Sequence, residues 1–274
     1  MDISAPSLLV RPARTRSGSR RTRALRGVVS PIAFVLLWQI GSTTGAIPSA
    51  KLAAPTAILA AFWSLVLSGD LWNDLVVSVG RVAVGFAIGV SLGVALALVV
   101  GLWEPGDFIF DPPLQMLRTL PYLGMTPLMI LWFGIGEAPK IALVAFASMF
   151  PVYLTLLGGI RAVDPKLLEA GRAFGLGRAE TIREVVLPGA LAPALVGLRY
   201  ALGAAWLSLV VGEQINADRG IGYLIMDARD FLRTDIIVVG LLLYAMLGLA
   251  TDGLVRLIEA RALAWRPKIL GAAA

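Results

Sequence analysis

Six long apolar stretches set the predicted elements of this chain. Each can cross a membrane as a helix, because about 20 residues rising 1.5 Å each span about 30 Å of hydrocarbon. The third stretch contains Pro121 and Pro127, which predict a kinked or broken helix. The pattern predicts an all-α polytopic membrane protein of about six transmembrane helices, with 27–260 as its membrane domain. The approximate spans are 28–45, 76–102, 113–134, 141–160, 190–212 and 236–258.

Composition supports the membrane assignment and narrows the chemistry. Hydrophobic residues make up 58% of the 274 residues and charged residues only 15%, whereas soluble domains carry about 25% charged residues. The chain has no cysteine and no histidine, which excludes disulfides, thiolate nucleophiles, imidazole bases and the usual zinc sites. We therefore expect no metal site, and the absence of a convergent catalytic set disfavours an enzyme.

The basic residues are concentrated before the first span. The segment RPARTRSGSRRTRALR, residues 11–26, holds seven arginines and no acid. Such a cluster is typical of a cytoplasmic tail facing anionic membrane lipid, although its composition also resembles an organelle transit peptide. It lacks the aromatic residues that would favour nucleic acid. We predict a disordered cytoplasmic tail over 1–26 and, after six crossings, a cytoplasmic tail over 261–274.

Small residues line one face of the second span. Gly85, Gly89 and Gly93 recur every four residues, so they fall on the same side of a helix, where they let another backbone approach closely. They predict a helix-packing face, either within the subunit or between subunits.

A polar segment, 161–188, separates the fourth and fifth spans. Asp164-Pro165 predicts a helix start, with an N-cap followed by proline in the first turn. Gly175 predicts the end of that helix, because glycine readily adopts the positive φ of a C-terminal cap. A second short helix is expected from Arg178 to Val186, stopped by Leu187-Pro188. The segment is too polar to cross the bilayer and is predicted to lie at its cytoplasmic face, as an ordinary amphipathic loop or as a docking site.

The residue order in this segment resembles the EAA loop of ABC importer permeases. Glu169-Ala170-Gly171, three residues, Gly175, nine residues, Val185, one residue and Leu187-Pro188 follow the family pattern, which has alanine at 171 and isoleucine at 185. The stretches SVGRVAVGFAIGVSLG and LRYALGAAWLSLVVGEQINADRGIGYLI are similar to permeases of the nitrate, taurine and aliphatic sulfonate branch. The second of these stretches, with the DARDFLRTDIIVVGLLLYA that follows it, is most like the aliphatic sulfonate permeases.

This resemblance implies a type I importer permease fold and a transport function. It implies a homodimer in the bacterial inner membrane, two ATPase subunits that bind ATP and magnesium, and an extracytoplasmic substrate-binding protein. The expected cargo is an aliphatic sulfonate, with taurine, nitrate or a related small substrate as alternatives. No lysine follows a glycine as a P-loop requires, so no cofactor is expected in this chain. The implied ATPase-coupling residues are Glu169, Ala170, Gly171, Phe174, Gly175, Leu187 and Pro188.

Charged and polar residues within the spans are candidates for the substrate path. Arg81, Arg199 and Ser208 are the candidates, since arginine offers paired donors to sulfonate or nitrate oxygens. The alternative for Arg81 is snorkelling to the outer interface, and for Arg199 an anchor at the cytoplasmic interface.

Two further groups of charges allow other interpretations. Glu213, with Asp218 and Arg219, is placed in an external segment that is either a solvated loop or a gate helix. Asp252 is four residues from Arg256 and predicts an intrahelical ion pair more readily than a proton relay. A secondary carrier driven by an ion gradient is the main alternative of another class, and it is disfavoured because the sequence predicts almost no buried acid.

Overall fold

The computed structural model describes residues 20–265, and within them the chain is helical without strands. Of the predicted tails over 1–26 and 261–274, residues 1–19 and 266–274 lie outside the described residues. A 3-10 turn, Tyr122–Met125, precedes α5, and a π turn, Ile182–Val186, joins α8 to α9. The helices are α1 Arg20–Thr43, α2 Pro55–Ser68, α3 Asp70–Leu102, α4 Glu104–Leu117, α5 Thr126–Phe133, α6 Glu137–Arg161, α7 Pro165–Ala173, α8 Arg178–Thr181, α9 Leu187–Asn216, α10 Ile221–Asp230 and α11 Thr234–Ala262.

Four helical runs in the described part are long and apolar enough to cross a membrane. They are α3, α6, the combined α8–α9 run Arg178–Ile215, and α11. They correspond to the second, fourth, fifth and sixth predicted spans and extend beyond the predicted bounds. Hydropathy places a boundary where polar residues begin, but several of these polar side chains are buried and paired inside the protein, so the helices continue past that point.

The first and third predicted spans differ from the structure. Helix α1 begins at Arg20, so the end of the predicted tail is helical, and its apolar part is the shorter Val29–Thr43. The third span is broken at Pro121, whose backbone is extended, and only Tyr122–Phe133 forms a short apolar helical run. Pro127 does not interrupt this run, because it lies in the first turn of α5, where no intrahelical bond needs its missing N–H.

Helix α2 was not predicted, and its length explains why. Its 14 residues rise only about 21 Å, less than a hydrocarbon core. The described residues up to Thr56 form one compact unit and those from Ala57 onward form a second. In the first unit, the Thr56 N–H donates to Gln39 Oε1 at 3.2 Å.

Helix α6 is the centre of the second unit and packs against both α3 and α9. The three glycines predicted as a packing face lie against it. A Cβ atom at Gly85 would come within 2.7 Å of Val144 Cβ, and one at Gly93 within 2.5 Å of the Met149 carbonyl oxygen. In this structure the glycine face therefore serves packing within the subunit, and larger residues there would force α3 away from α6.

Candidate functional site

Helix α7 is the predicted first helix of the polar segment, and both of its ends are capped. The Asp164 carboxylate accepts a hydrogen bond from the Lys166 N–H at 2.9 Å. At the other end, Gly175 has φ +82 and its N–H donates to the Arg172 carbonyl at 2.9 Å, while the Leu176 N–H donates to the Gly171 carbonyl at 3.0 Å. This is a Schellman motif, so local bonds fix the shape of this short polar helix.

The predicted contact residues of α7 divide into an exposed set and a buried one. Glu169 and Ala170 are exposed, and the Phe174 ring, at the cap, is 87% exposed. Gly171 is buried, and a Cβ there would lie 3.4 Å from Leu176 Cδ1. A fully presented aromatic ring on a rigidly capped helix is typical of a protein contact surface. We call the exposed residues Glu169, Ala170 and Phe174 the docking face.

Leu187 and Pro188 do not stop a helix, so that prediction is wrong. The Leu187 N–H donates to the Ile182 carbonyl, five residues earlier, and the helix continues into α9. Pro188 has no N–H, and its ring would crowd the carbonyl four residues before it; the wider π turn relieves this conflict. The resulting run Arg178–Ile215 has 38 residues and is about 57 Å long. It joins the polar segment to the opposite end of the helices.

We call the end of the helices that carries α7 and α8 the loop end. Polar contacts hold the helices together there. Arg161 donates to Asp107 at 2.6 Å, and Arg178 of α8 donates to the Leu102 carbonyl at 3.1 Å. The Tyr153 hydroxyl donates to Asp111 at 2.5 Å. Burial alone would raise the pKa of the Asp111 carboxyl, but the hydrogen bonds from Tyr153 and Gln115 and the Arg161 charge outweigh it and hold that pKa below its ordinary value.

We call the opposite end of the helices the far end. It contains a buried ion pair that joins α3 to α9. Arg81 is 4% exposed and Glu213 is 1% exposed, and Arg81 Nη1 lies 2.7 Å from Glu213 Oε1. The remaining Arg81 donors, Nε and Nη2, bind Glu137 at 2.5 and 2.6 Å. Glu137 also accepts from Lys140 at 3.1 Å. The carboxylate of Glu137 is 54% exposed, so one arm of the network reaches the surface while the Arg81–Glu213 pair is enclosed.

The same buried residues hold the start of α10. The Arg219 carbonyl accepts from Arg81 at 2.7 Å, and the Gly220 N–H donates to Asp74 at 2.9 Å. The next two N–H groups, of residues 221 and 222, donate to Ser78 at 2.9 Å and to Glu213 at 2.8 Å. Four consecutive backbone groups are thus bound by side chains of α3 and α9. We call this set of side chains the far-end clamp: Asp74, Ser78, Arg81 and Glu213.

Two glycines make the far-end clamp sterically possible. Gly220 has φ +117, and a Cβ there would lie 2.8 Å from Arg81 Nη1; a Cβ at Gly222 would lie 2.6 Å from Glu213 Cβ. Larger residues would push the start of α10 off its acceptors. The sequence Gly220-Ile221-Gly222 therefore lies where the backbone of α10 meets the buried charges.

Sequence reasoning misplaced both charges of this pair. Snorkelling of Arg81 to an interface is wrong, because its side chain is buried. The placement of Glu213 in a solvated loop is also wrong, since Glu213 lies within α9 and is enclosed. The expectation of almost no buried acid fails for the same reason. A signal was present: a buried charge requires a partner, and Arg81 and Glu213 stand near the same end of two antiparallel predicted spans.

The other two candidate path residues are also engaged within the protein. Arg199 Nη2 binds Glu259 at 2.6 Å and its Nε lies 3.2 Å from Asp252. The Ser208 hydroxyl is buried and donates to the Ala205 carbonyl at 2.9 Å. The predicted intrahelical pair is confirmed, with Arg256 Nε 2.8 Å from the Asp252 carboxylate. The Asp252 carboxylate therefore contacts Arg199 across the α9–α11 interface and Arg256 within α11.

Comparison with known proteins identifies the family of this chain. Residues 85–263 match the family model described as the binding-protein-dependent transport system inner membrane component. The chain belongs to this family. As an inner membrane component, it is a transport subunit rather than an enzyme, with ATP hydrolysis assigned to a separate subunit. Residues 20–265 contain no cluster of three or more acidic side chains that could hold a metal ion.

The inner membrane component has curated relatives over most of its length. It is 40% identical over 263 residues to a protein of Bacillus subtilis described as an aliphatic sulfonates transport permease, SsuC, covering 96% of this chain and 95% of that protein. It is 46% identical over 237 residues to the Escherichia coli protein of the same description, covering 86% and 90%. It is 33% identical over 203 residues to the E. coli taurine transport permease TauC, covering 74% of each.

Solved structures show the same fold at lower identity. A chain of an amino acid ABC transporter aligns with a TM-score of 0.59 at 23% identity, covering 74% of this chain and 96% of that one. A chain of the inward-facing MetNI methionine ABC transporter aligns with a TM-score of 0.51 at 20% identity, covering 73% and 98%. The all-α fold of ABC importer permeases, expected from the sequence, is confirmed.

Proposed function

We propose that this chain is the membrane permease of an ABC importer that carries aliphatic sulfonates across the bacterial cytoplasmic membrane. The substrate rests on the two SsuC relatives, at 40% and 46% identity over most of the chain. The lower identity to TauC, at 33%, places taurine second. Two copies of the chain would form the translocation path. Two ATPase subunits would bind ATP and magnesium and hydrolyse the ATP, and a substrate-binding protein would deliver the substrate from outside.

The observation that carries this proposal is the docking face on α7. Phe174 is an exposed aromatic of the kind that dominates protein interfaces. Glu169 beside it can form a charge-assisted bond with a basic group of the ATPase, and the small side chain of Ala170 permits close approach. The capped ends of α7 hold these groups in place before binding, which lowers the entropic cost of docking.

The docking face is connected to the membrane region through the long helical run that begins at Arg178. Residue 178 follows α7 after a short bend, and from there the run Arg178–Ile215 crosses the whole bundle. ATP binding would draw the two docking faces together as the ATPases close, and the continuous run would tilt with them. Hydrolysis would reset the arrangement. Helices kink at π turns and at internal prolines, so the π turn at Ile182–Val186 and Pro193 are the two positions where this run can bend.

The polar segment favours a cytoplasmic location for the loop end. It carries five basic residues close to span ends, and short loops rich in Lys and Arg remain in the cytoplasm. The far end would then face outward, and both termini would be cytoplasmic, with the basic tail beside anionic lipid. The five residues are Arg161, Lys166, Arg172, Arg178 and Arg183.

A docking experiment tests the coupling role. Replacing the exposed ring in Phe174→Ala should weaken binding of the ATPase subunit at least about 30-fold, the equivalent of a 2 kcal/mol hot spot, and should lower uptake in parallel. Phe231→Ala is the matched control, since Phe231 is 72% exposed but lies at the far end. Unchanged ATPase binding in Phe174→Ala, or equal losses in both variants, would remove the docking face from the mechanism.

A competition experiment tests the substrate. Vesicles containing the permease, its ATPase and its binding protein should take up a labelled alkanesulfonate. Unlabelled alkanesulfonates should compete at lower concentrations than taurine or nitrate. Stronger competition by taurine or nitrate would reassign the cargo while leaving the importer mechanism in place.

A further inference from the structure

The start of α10 is bound more completely than a helix start needs. An ordinary N-terminus is capped by one or two nearby side chains and otherwise faces water. Here the carbonyl of Arg219 and the N–H groups of residues 220, 221 and 222 are all bound by side chains from α3 and α9. Because these partners belong to other helices, the bonds attach α10 to the rest of the protein.

The central acceptor of the far-end clamp has no spare capacity. Glu213 Oε1 accepts from Ser78 at 2.7 Å and from Arg81 at 2.7 Å. Its Oε2 accepts from the Gly222 N–H at 2.8 Å and from the Tyr244 hydroxyl of α11 at 3.0 Å. Four donors fill the four lone-pair positions of a carboxylate. Separating α10 would leave Glu213 and Arg81 enclosed with fewer partners and would orphan three backbone N–H groups.

The buried face of α10 adds apolar contact to these bonds. Ile221, Leu224, Ile225 and Ala228 recur at helical spacing and are buried, and α10 packs against α3, α9 and α11. Both the polar start and the apolar length of α10 are therefore fixed to the same neighbours.

We infer that the far-end clamp joins α10 to the far ends of α3 and α9 as one body, which moves without separating during the transport cycle. Of the two sequence-based interpretations of this external segment, the solvated loop does not fit, and a gate helix would have to move together with α3 and α9 or break the far-end clamp. Any tilt of the Arg178–Ile215 run would be delivered to α10 directly, because Glu213 lies on that run. This inference rests on the proposed function for the existence of a cycle, but the attachment itself is a property of this chain.

Cysteine labelling tests this attachment directly, because the chain has no cysteine of its own. Ala228→Cys places a thiol on the buried face of α10 with little added volume, and Arg229→Cys places one on its exposed face as the matched control. Both variants are labelled with a maleimide in the complete transporter at rest, with bound ATP, and during turnover. Labelling of Ala228→Cys should be at least about tenfold slower than that of Arg229→Cys and equal in all three states.

Substitutions within the far-end clamp provide the second part of this experiment. Glu213→Gln in the Ala228→Cys background should raise its labelling rate about tenfold, since hydrogen bonds to a charged group are weakened. Ser78→Ala, a milder change that removes one bridging hydroxyl, should raise it less and serves if Glu213→Gln fails to fold. An ATP-dependent rise in Ala228→Cys labelling with the clamp intact would overturn the inference. Unchanged labelling in both clamp variants would also overturn it.

A third cysteine variant tests the proposed function separately from the attachment of α10. Ala173→Cys lies beside the docking face and is exposed, so ATPase binding should protect it from the maleimide. Failure of that protection would count against the proposed coupling. The comparison of Ala228→Cys with Arg229→Cys at rest would still test the attachment of α10, because it requires only the permease.

Discussion

Removing Arg81 is the most informative perturbation of the far end. In Arg81→Met the long side chain is retained in size while the charge is lost, so Glu213 is left buried with neutral donors only. Breaking a buried ion pair on one side costs about 3–5 kcal/mol. Glu137, the other partner of Arg81, adds little to this cost, because it is 54% exposed and keeps Lys140. For a chain of this size about 2–4 °C of melting temperature is lost per kcal/mol, which predicts a fall of about 6–20 °C.

The assay is thermal unfolding of the purified permease in detergent, arranged as a double-mutant cycle. Glu213→Gln alone should also destabilise, since Arg81 then lacks its enclosed counter-charge. The double variant Arg81→Met with Glu213→Gln leaves no buried charge in this pair and keeps an acceptor for the Gly222 N–H. It should therefore melt at least as high as Arg81→Met alone. Additive losses in the double variant would refute a direct energetic coupling between these two side chains.

Other predictions concern the loop end. Gly171→Ala should be tolerated and should stabilise α7 by up to about 1 kcal/mol in thermal unfolding, because its Cβ meets Leu176 Cδ1 at an ordinary 3.4 Å; a loss of uptake would contradict this fit. Gly175→Pro should abolish uptake while the protein still reaches the membrane, because proline cannot adopt φ +82. Glu169→Lys should abolish uptake by reversing the charge of the docking face, and normal transport in either variant would exclude the coupling role. The Asp111 contacts should hold at constant strength from pH 5 to 8 and weaken only as pH falls through its lowered pKa, which melting curves across pH can check.

Local sequence signals predicted the loop end well. Asp164, Pro165 and Gly175 act through neighbours a few residues away, so the caps of α7 could be inferred without knowing the fold. Leu187-Pro188 was misread because proline usually ends a helix, and the π turn that accommodates it leaves no equally local signature. The same limit applies to α2, whose apolar run is too short for a hydropathy criterion alone.

The far end could not be predicted from local pattern. Arg81 and Glu213 are separated by 132 residues, and each taken alone is explained equally well by an interface position or a solvated loop. Only the packing of α3 against α9 shows that the two charges neutralise each other. The glycines at 85, 89 and 93 predicted a packing face, but the helix that lies against them, α6, emerged only from the structure.

In the proposed function, ATP drives transport through the docking face. The direct measurement is uptake of a labelled alkanesulfonate by vesicles that contain the permease, its ATPase subunit and its binding protein. Uptake should require both ATP and the ATPase subunit, should persist when an ionophore collapses the proton gradient, and should be lost in Phe174→Ala at limiting ATPase. Uptake that continues without the ATPase subunit but stops when the gradient collapses would contradict this mechanism and indicate a secondary carrier.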